Sequence, residues 1–254
     1  MKTLVIDIGN TDTVAGIYEE KNLLGRVRFR TLHNSTVDEY RAHMLGLFDY
    51  ASDVKLSPMG ADRAVICSVV PALEKTVTQA LRKVPALFVK SDTRRKFELD
   101  LPIPEQLGAD RLANVAGALE IVSGPFLVVD AGTATTFCLV DERPAYIGGA
   151  ITPGLEISWK ALQSRAAKLY SVELNRPKSP LGRTTESQIQ SGVLLGYEAL
   201  IEGMADRLLS EQAGKNYQLI ATGGCIQLLK LSDRWRIEPD LTLKGLLAYG
   251  ELTG

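Results

Sequence analysis

The stretch Leu4–Tyr18, LVIDIGNTDTVAGIY, constrains this chain more than any other. An apolar run, Leu4-Val5-Ile6, is long enough for one buried strand. Asp7 follows, then Gly9, then the polar side chains of Asn10, Thr11 and Thr13, and a second apolar run leads from Val14 to Tyr18. Strand, tight polar turn, strand is the pattern of a hairpin. Gly9 lets the backbone turn with positive φ and lets a bulky anion come close. The amides of such a turn point into a shared concavity that suits phosphate. Asp7 beside them could hold a hydrated Mg2+, which prefers one or two carboxylates plus phosphate oxygens. In isolation, an Asp-X-Gly hairpin is more often just a turn.

An echo changes that reading. Leu127 to Val140, LVVDAGTATTFCLV, repeats the order of apolar run, acid (Asp130), glycine (Gly132), hydroxyl cluster (Thr133, Thr135, Thr136) and apolar run. The segments align residue for residue through Asp7/Asp130 and Gly9/Gly132. A repeat nearly half a chain apart is too long for a solenoid. It points to a duplicated domain, each half opening with the same hairpin. Two such hairpins facing each other across a cleft would clamp a polyphosphate and its metal, so a nucleotide site is expected.

With 254 residues, 45% of them apolar, the chain can bury the core of one or two domains. A net charge of −1 gives no electrostatic footprint for nucleic acid or an anionic membrane. No apolar run approaches the roughly 18 residues of a membrane helix. The N-terminus enters a strand directly, so no signal peptide is expected. Cys67, Cys138 and Cys225 stand singly in or beside apolar runs and read as buried free thiols, so a cytoplasmic protein is expected. The two histidines, His33 and His43, flank or lie on an amphipathic helix far from either hairpin in sequence. They suit structural or surface roles and leave little material for a histidine-dependent hydrolase or a zinc enzyme. Neither GxxxxGK[ST] nor GxGxxG is present.

Along the chain, Leu24–Leu32 reads as a third antiparallel strand. Thr36-Val37-Asp38-Glu39 is a capping box opening a helix through Tyr40, Met44, Leu47 and Phe48. A buried strand (64–70) ends at Pro71, followed by a helix (73–83), a short strand (86–89) and a helix (112–122). In the second half, Gly148-Gly149-Ala150-Ile151-Thr152-Pro153-Gly154 reads as a loop before a helix with Leu155, Trp159, Leu162, Ala166 and Leu169 at helical spacing. A capping box at Thr185-Glu186-Ser187-Gln188 starts a helix to about Leu209. A strand (219–221) ends in Thr222-Gly223-Gly224 with a helix behind it, and 243–250 forms a terminal helix. The expected class is α/β, with domains 1–115 and 116–254.

Gly108-Ala109-Asp110-Arg111 sits where a proline-rich loop enters a helix, so its amides and dipole favour an anion. One reading makes Asp110 a general base for a substrate hydroxyl and Arg111 a bidentate partner for carboxylate or phosphate. The other makes Asp110 an ordinary helix-terminal acid with an ion-pair partner. Gly148–Gly154 suits a phosphate cradle or a plain turn. Gly223-Gly224 suits close approach by a flat ring such as adenine, or a strand-to-helix turn.

Six motifs then stand in order: Asp7-Ile-Gly-Asn-Thr11, Cys67-Ser-Val-Val-Pro71, Gly108-Ala-Asp-Arg111, Asp130-Ala-Gly-Thr133, Gly148-Gly-Ala-Ile-Thr-Pro-Gly154 and Thr222-Gly-Gly224. The whole resembles type III pantothenate kinases, in the superfamily of acetate and sugar kinases, heat-shock chaperones and actin. The resemblance implies duplicated actin-like (ribonuclease H-like) domains, with mixed five-stranded sheets flanked by helices and a nucleotide cleft between the halves. It implies ATP-dependent phosphorylation of pantothenate, the first step of coenzyme A synthesis. ATP would be bound by Asp7, Ile8, Gly9, Asn10, Thr11, Asp12, Thr13, Val14, Thr133, Gly223 and Gly224. Mg2+ would sit at Asp7 through the phosphates, and K+ or NH4+ at Asp130. Asp110 would be the catalytic base, and Gly108, Ala109, Asp110, Arg111 and Thr185 would contact pantothenate. The resemblance also implies a homodimer with dimerisation helices in the second half. One departure borders the expected pantothenate site: Leu101-Pro102-Ile103-Pro104 stands where many members carry a Tyr-like residue and Asn-Pro. The rival expectations are a non-catalytic regulator of transcription and a superfamily enzyme acting on another substrate.

Overall fold

The computed structural model describes residues 1–51, 56–165, 172–212 and 214–253. The chain forms two compact units: Met1–Ile121 with Asp240–Gly254, and Val122–Pro239.

The first unit begins with β1 (Lys2–Ile8), β2 (Asp12–Glu19) and β3 (Asn22–Arg30), followed by α1 (Val37–Ala51), β4 (Arg63–Ser68), α2 (Pro71–Ala80), β5 (Ala86–Phe88), the two-residue β6 (Glu98–Leu99) and α3 (Ala109–Leu119). Its sheet runs β3-β2-β1-β4-β5. The first three strands are antiparallel neighbours, and β4 and β5 run parallel to β1. β1 is covered on both faces, so Leu4, Val5 and Ile6 are all fully buried and its sequence is continuously apolar rather than alternating. Leu4, Ile6 and Ile8 share one core with Tyr40, Met44 and Phe48 of α1 and Leu73 and Val77 of α2. The expected capping box starts α1: Thr36 N–H donates to Glu39 Oε2 (2.8 Å) and Glu39 N–H donates to Thr36 Oγ1 (3.3 Å).

The C-terminal helix, Leu241–Thr253, returns to this first unit. Gly117 of α3 lies against the Leu241 carbonyl, and Gly245 lies against the Ala113 carbonyl. A methyl at either position would strike backbone, so the two helices approach as closely as glycine allows. Arg63 donates to Thr3 Oγ1 (3.0 Å) and to the Gly250 carbonyl, which fixes the helix on the sheet. The units therefore divide at 121/122 and 239/240, not at 115/116 with everything beyond in one half. Leu243, Leu246 and Leu247 are buried, and a helix this apolar carries no sequence label for the partner it covers.

The second unit holds β7 (Phe126–Ala131), β8 (Ala134–Val140), β9 (Ala145–Pro153), α4 (Leu155–Arg165), α5 (Thr185–Gln190), a π-helical turn (Ser191–Leu195), α6 (Gly196–Ser210), β10 (Gln218–Thr222) and β11 (Trp235–Ile237). Within the unit the strands lie β9-β8-β7-β10-β11, the order and directions of the first sheet repeated. Leu127, Val129 and Phe137 pack on Leu155, Leu194, Tyr197 and Ile201.

Several local expectations are corrected. The glycine-rich segment 148–154 is mostly strand β9, not a loop. Gly149 lies directly against the Phe137 carbonyl, and Gly148 (φ +138°) sits at a register shift between Leu139 and Val140. α5 is capped by Thr184, whose Oγ1 accepts from Ser187 N–H (3.2 Å), and not by Thr185. Behind Gly224 stands one 3-10 turn, Ile226–Leu228, rather than a helix. In α4, Leu155 and Trp159 are buried as expected, Leu162 is exposed, and Ala166 and Leu169 lie outside the described residues.

Candidate active site

The β1–β2 turn is closed by Gly9 N–H donating to the Asp12 carbonyl (3.0 Å). Gly9 does not take the expected positive φ. A Cβ there would meet the Asp12 carbonyl oxygen at 2.9 Å, so closeness of the turn, not handedness, selects glycine. Thr31, just past β3, braces the turn from behind. Its Oγ1 donates to the Gly9 carbonyl (2.6 Å), its N–H donates to the Thr11 carbonyl (3.0 Å), and its hydroxyl shares a hydrogen bond with buried Thr13 Oγ1 (3.0 Å). His33 Nε2 lies 2.8 Å from the Asn10 carbonyl oxygen. Ile8 and Thr13 are fully buried, so they can meet a ligand only through backbone. The Asp12 carboxylate faces Arg28 (2.6 Å) and Arg30 (3.5 Å), and Val14 is half-buried opposite Asp7.

Asp7 is half-buried at the end of β1, and the parallel register sets Cys67 of β4 directly beside it. Cys67 Sγ donates to Asp7 Oδ1 at 3.1 Å. Burial, then the charges of Asp7 and Asp110, push the Cys67 thiol well above its ordinary pKa. Asp7, Cys67 and Asp110 therefore share one electrostatic neighbourhood. Asp110 lies in the first turn of α3, where Arg111 N–H donates to its Oδ1 (2.8 Å). Gly108, the N-cap residue, leaves room for that carboxylate: a Cβ on it would stand 2.5 Å from Asp110 Oδ1. Ala109 opens the helix, and Arg111 donates to the Gln106 carbonyl (3.3 Å). The departing loop, 101–104, runs into a 3-10 turn (Pro104–Gln106) with Ile103 exposed.

In the second unit, Gly132 N–H donates to the Ala134 carbonyl (3.2 Å), and Gly154 N–H donates to the Thr133 carbonyl (3.1 Å). The start of α4 is thereby seated on the turn. Buried Thr135 shares a 2.5 Å hydrogen bond with Tyr197 OH. Burial pushes the Tyr197 phenol up to about 12 against the pull of that hydrogen bond, with the Cys225 and Asp130 charges adding to the rise. β10 ends beside Asp130: Gly223 has φ +106°, and a Cβ there would lie 2.5 Å from both Asp130 Oδ1 and Ala131 N. Gly224 and Thr133 are exposed, as is Thr185 in the first turn of α5.

Sequence reasoning missed Thr31 and Tyr197; it gave His33 a structural or surface role and read Cys67 as a buried free thiol, without the partners found here. Tyr197 carries no local signal, because it meets Thr135 only through the fold. Among the described residues no three His, Cys, Asp or Glu side chains are grouped to cage a metal. A single carboxylate at Asp7 fits Mg2+ that arrives already bound to phosphates. No helix among the described residues is long and apolar enough to cross a membrane.

Comparison with known proteins shows the family and the fold. The profile of the type III pantothenate kinase family matches residues 3–207. A type III pantothenate kinase from Halalkalibacterium halodurans is 38% identical over 248 residues, 96% of each chain. Another, from Roseiflexus sp. strain RS-1, is 40% identical over 254 residues, 98% of each. Among solved structures, a conserved Campylobacter jejuni protein of the Baf family shares the fold at TM-score 0.61 and 18% identity, covering 98% of both chains. The activator of 2-hydroxyisocaproyl-CoA dehydratase from Clostridium difficile, solved with ADPNP, does so at TM-score 0.56 and 11% identity, covering 100% of this chain and 96% of that one.

Proposed function

This chain belongs to the type III pantothenate kinase family and phosphorylates pantothenate with ATP in coenzyme A synthesis, and from that premise we propose how its residues divide the work. The reading rests on one observation above others: the Cys67 thiol donates to Asp7 at the end of β1, and the charges of both Asp7 and Asp110 push that buried thiol up. Asp110 is the general base. It takes the proton from the primary hydroxyl of pantothenate as that oxygen bonds to the γ-phosphorus and the bond to the β-phosphate oxygen breaks, releasing ADP. The Arg111 amide, donating to Asp110 Oδ1, holds the carboxylate in place for that transfer. Gly108, Ala109 and Arg111 line the pantothenate site with Asp110, and Thr185 adds a contact from α5.

The β1–β2 turn receives the phosphates through Asp7, Gly9, Asn10, Thr11 and Asp12 and through the backbone of Ile8, Thr13 and Val14. Mg2+, when bound with ATP at Asp7, offsets charge developing on the transferred phosphoryl group. Thr133 is the corresponding ATP contact of the second hairpin. Gly223 and Gly224 serve the adenine, and Asp130 holds K+ or NH4+. The protein works in the cytoplasm as a homodimer.

The test is ADP release with ATP, Mg2+ and K+, with and without pantothenate. Pantothenate-dependent turnover that falls when Na+ replaces K+ is expected. Turnover indifferent to the cation would remove the role given to Asp130, and none with pantothenate would remove the acceptor assignment.

A further inference from the structure

Cys67 does more than fill the core. It is fully buried, lies in register beside Asp7 on a parallel strand, and donates a hydrogen bond to Asp7 Oδ1 at 3.1 Å. In-register neighbours share a face of the sheet, so the contact is set by backbone pairing rather than by a flexible side chain. The corresponding position of the second unit, opposite Asp130, carries the buried hydroxyl of Thr222. Both halves thus set a small neutral X–H group beside the hairpin acid.

We propose that Cys67 is a positioning residue for Asp7, its thiol proton holding the carboxylate in the orientation that receives the Mg2+–phosphate group. The proposal rests on the reading of Asp7 given above. The chemistry favours a thiol here. Lys or Arg would neutralise Asp7 and compete with the cation, and Val would fill the space without a donor. A thiol is a weak, uncharged donor that orients the carboxylate while leaving its charge for the metal.

The test uses the whole protein and needs no turnover. The S–H stretching band of Cys67, assigned by its loss in Cys67→Ser, is expected at the lowered frequency of a hydrogen-bonded thiol and should rise in Asp7→Asn. A band at the free-thiol position would overturn the contact. Calorimetric titration with Mg2+ and the non-hydrolysable analogue AMPPNP should show about tenfold weaker binding in Cys67→Ala, one lost charge-assisted hydrogen bond. Cys67→Ser, which keeps a donor, should recover most of that loss even though both variants lower the melting temperature. Wild-type affinity in Cys67→Ala, or equal weakening in Ala and Ser that tracks their melting temperatures, would leave Cys67 as packing only. Asp7→Asn separates the two levels. If it binds Mg·AMPPNP like wild type, the reading of Asp7 itself is wrong. If it binds weakly while Cys67→Ala does not, only the positioning role is lost.

Discussion

In the first hairpin the Gly9 amide closes on the carbonyl three residues ahead; in the second, the Gly132 amide closes on the carbonyl two ahead. The return strands are therefore offset by one residue. Val14 stands opposite Asp7, whereas Thr136 stands opposite Asp130. Thr13 and Thr135 become equivalent, each fully buried and each opposite the residue after the acid. Their braces differ in origin. Thr13 is held by Thr31, 18 residues on in a neighbouring strand's extension, and Thr135 by Tyr197, 62 residues on in a helix. The acids differ likewise: Asp7 accepts a hydrogen bond from the Cys67 thiol, while Asp130 lies so close to Gly223 that a Cβ there would strike its carboxylate. One repeated sequence pattern thus yields a first hairpin braced locally, and a second whose shape depends on distant segments.

The largest test of this asymmetry is catalytic. Asp110→Asn should lower kcat by about 10²–10⁴-fold with little change in pantothenate KM. Asp130→Asn should cost much less and alter the K+ dependence. Equal losses in steady-state assays would mean that the halves share the chemistry evenly. Next comes backbone strain. Gly223→Ala forces a Cβ into Ala131 and Asp130 at positive φ and should cost about 3 kcal/mol in urea unfolding. Gly9→Ala, whose φ is ordinary and whose one close neighbour is the Asp12 carbonyl, should cost about 1 kcal/mol.

The braces are a step smaller. Tyr197→Phe strands the Thr135 hydroxyl and should cost about 1–2 kcal/mol near neutral pH. Its pH dependence has a defined sign. The folded phenol is raised to about 12 from 10.0, so its contribution is complete below pH 10 and fades as pH rises toward 12. Alkaline unfolding of wild type should therefore be steeper than that of Tyr197→Phe in this window. Parallel curves would remove Tyr197 from the account. Smallest is Asp12→Asn. Its partners Arg28 and Arg30 are largely exposed, so less than about 1 kcal/mol should be lost, and that loss should vanish at high salt.

Much of the fold was legible because burial leaves a direct trace. Leu4-Val5-Ile6 and its echo at Leu127-Val128-Val129 are apolar on both faces, as central strands must be, and the duplicated order of strands follows from them. The boundary was less legible, since Leu243 and Leu246 would suit any apolar partner. The glycines of 148–154 were misread because a glycine run signals permissiveness without saying what lies nearby. Here the Phe137 carbonyl lies against Gly149, and the segment is a strand. The true cap of α5 was one residue early, a difference that depends on which threonine turns its hydroxyl to Ser187.

By itself the sequence determined the two acid-bearing hairpins, the helix entry at Gly108–Arg111 and the α/β class, because each is written in neighbours within a few residues. Only the tertiary structure decided that Cys67 meets Asp7, that Thr31 and His33 grip the first turn, that Tyr197 holds the second, and that the last helix rejoins the first unit. Those pairings span from about 20 to nearly 200 residues of chain, and strand register and helix packing, not local preference, bring such groups within hydrogen-bonding reach.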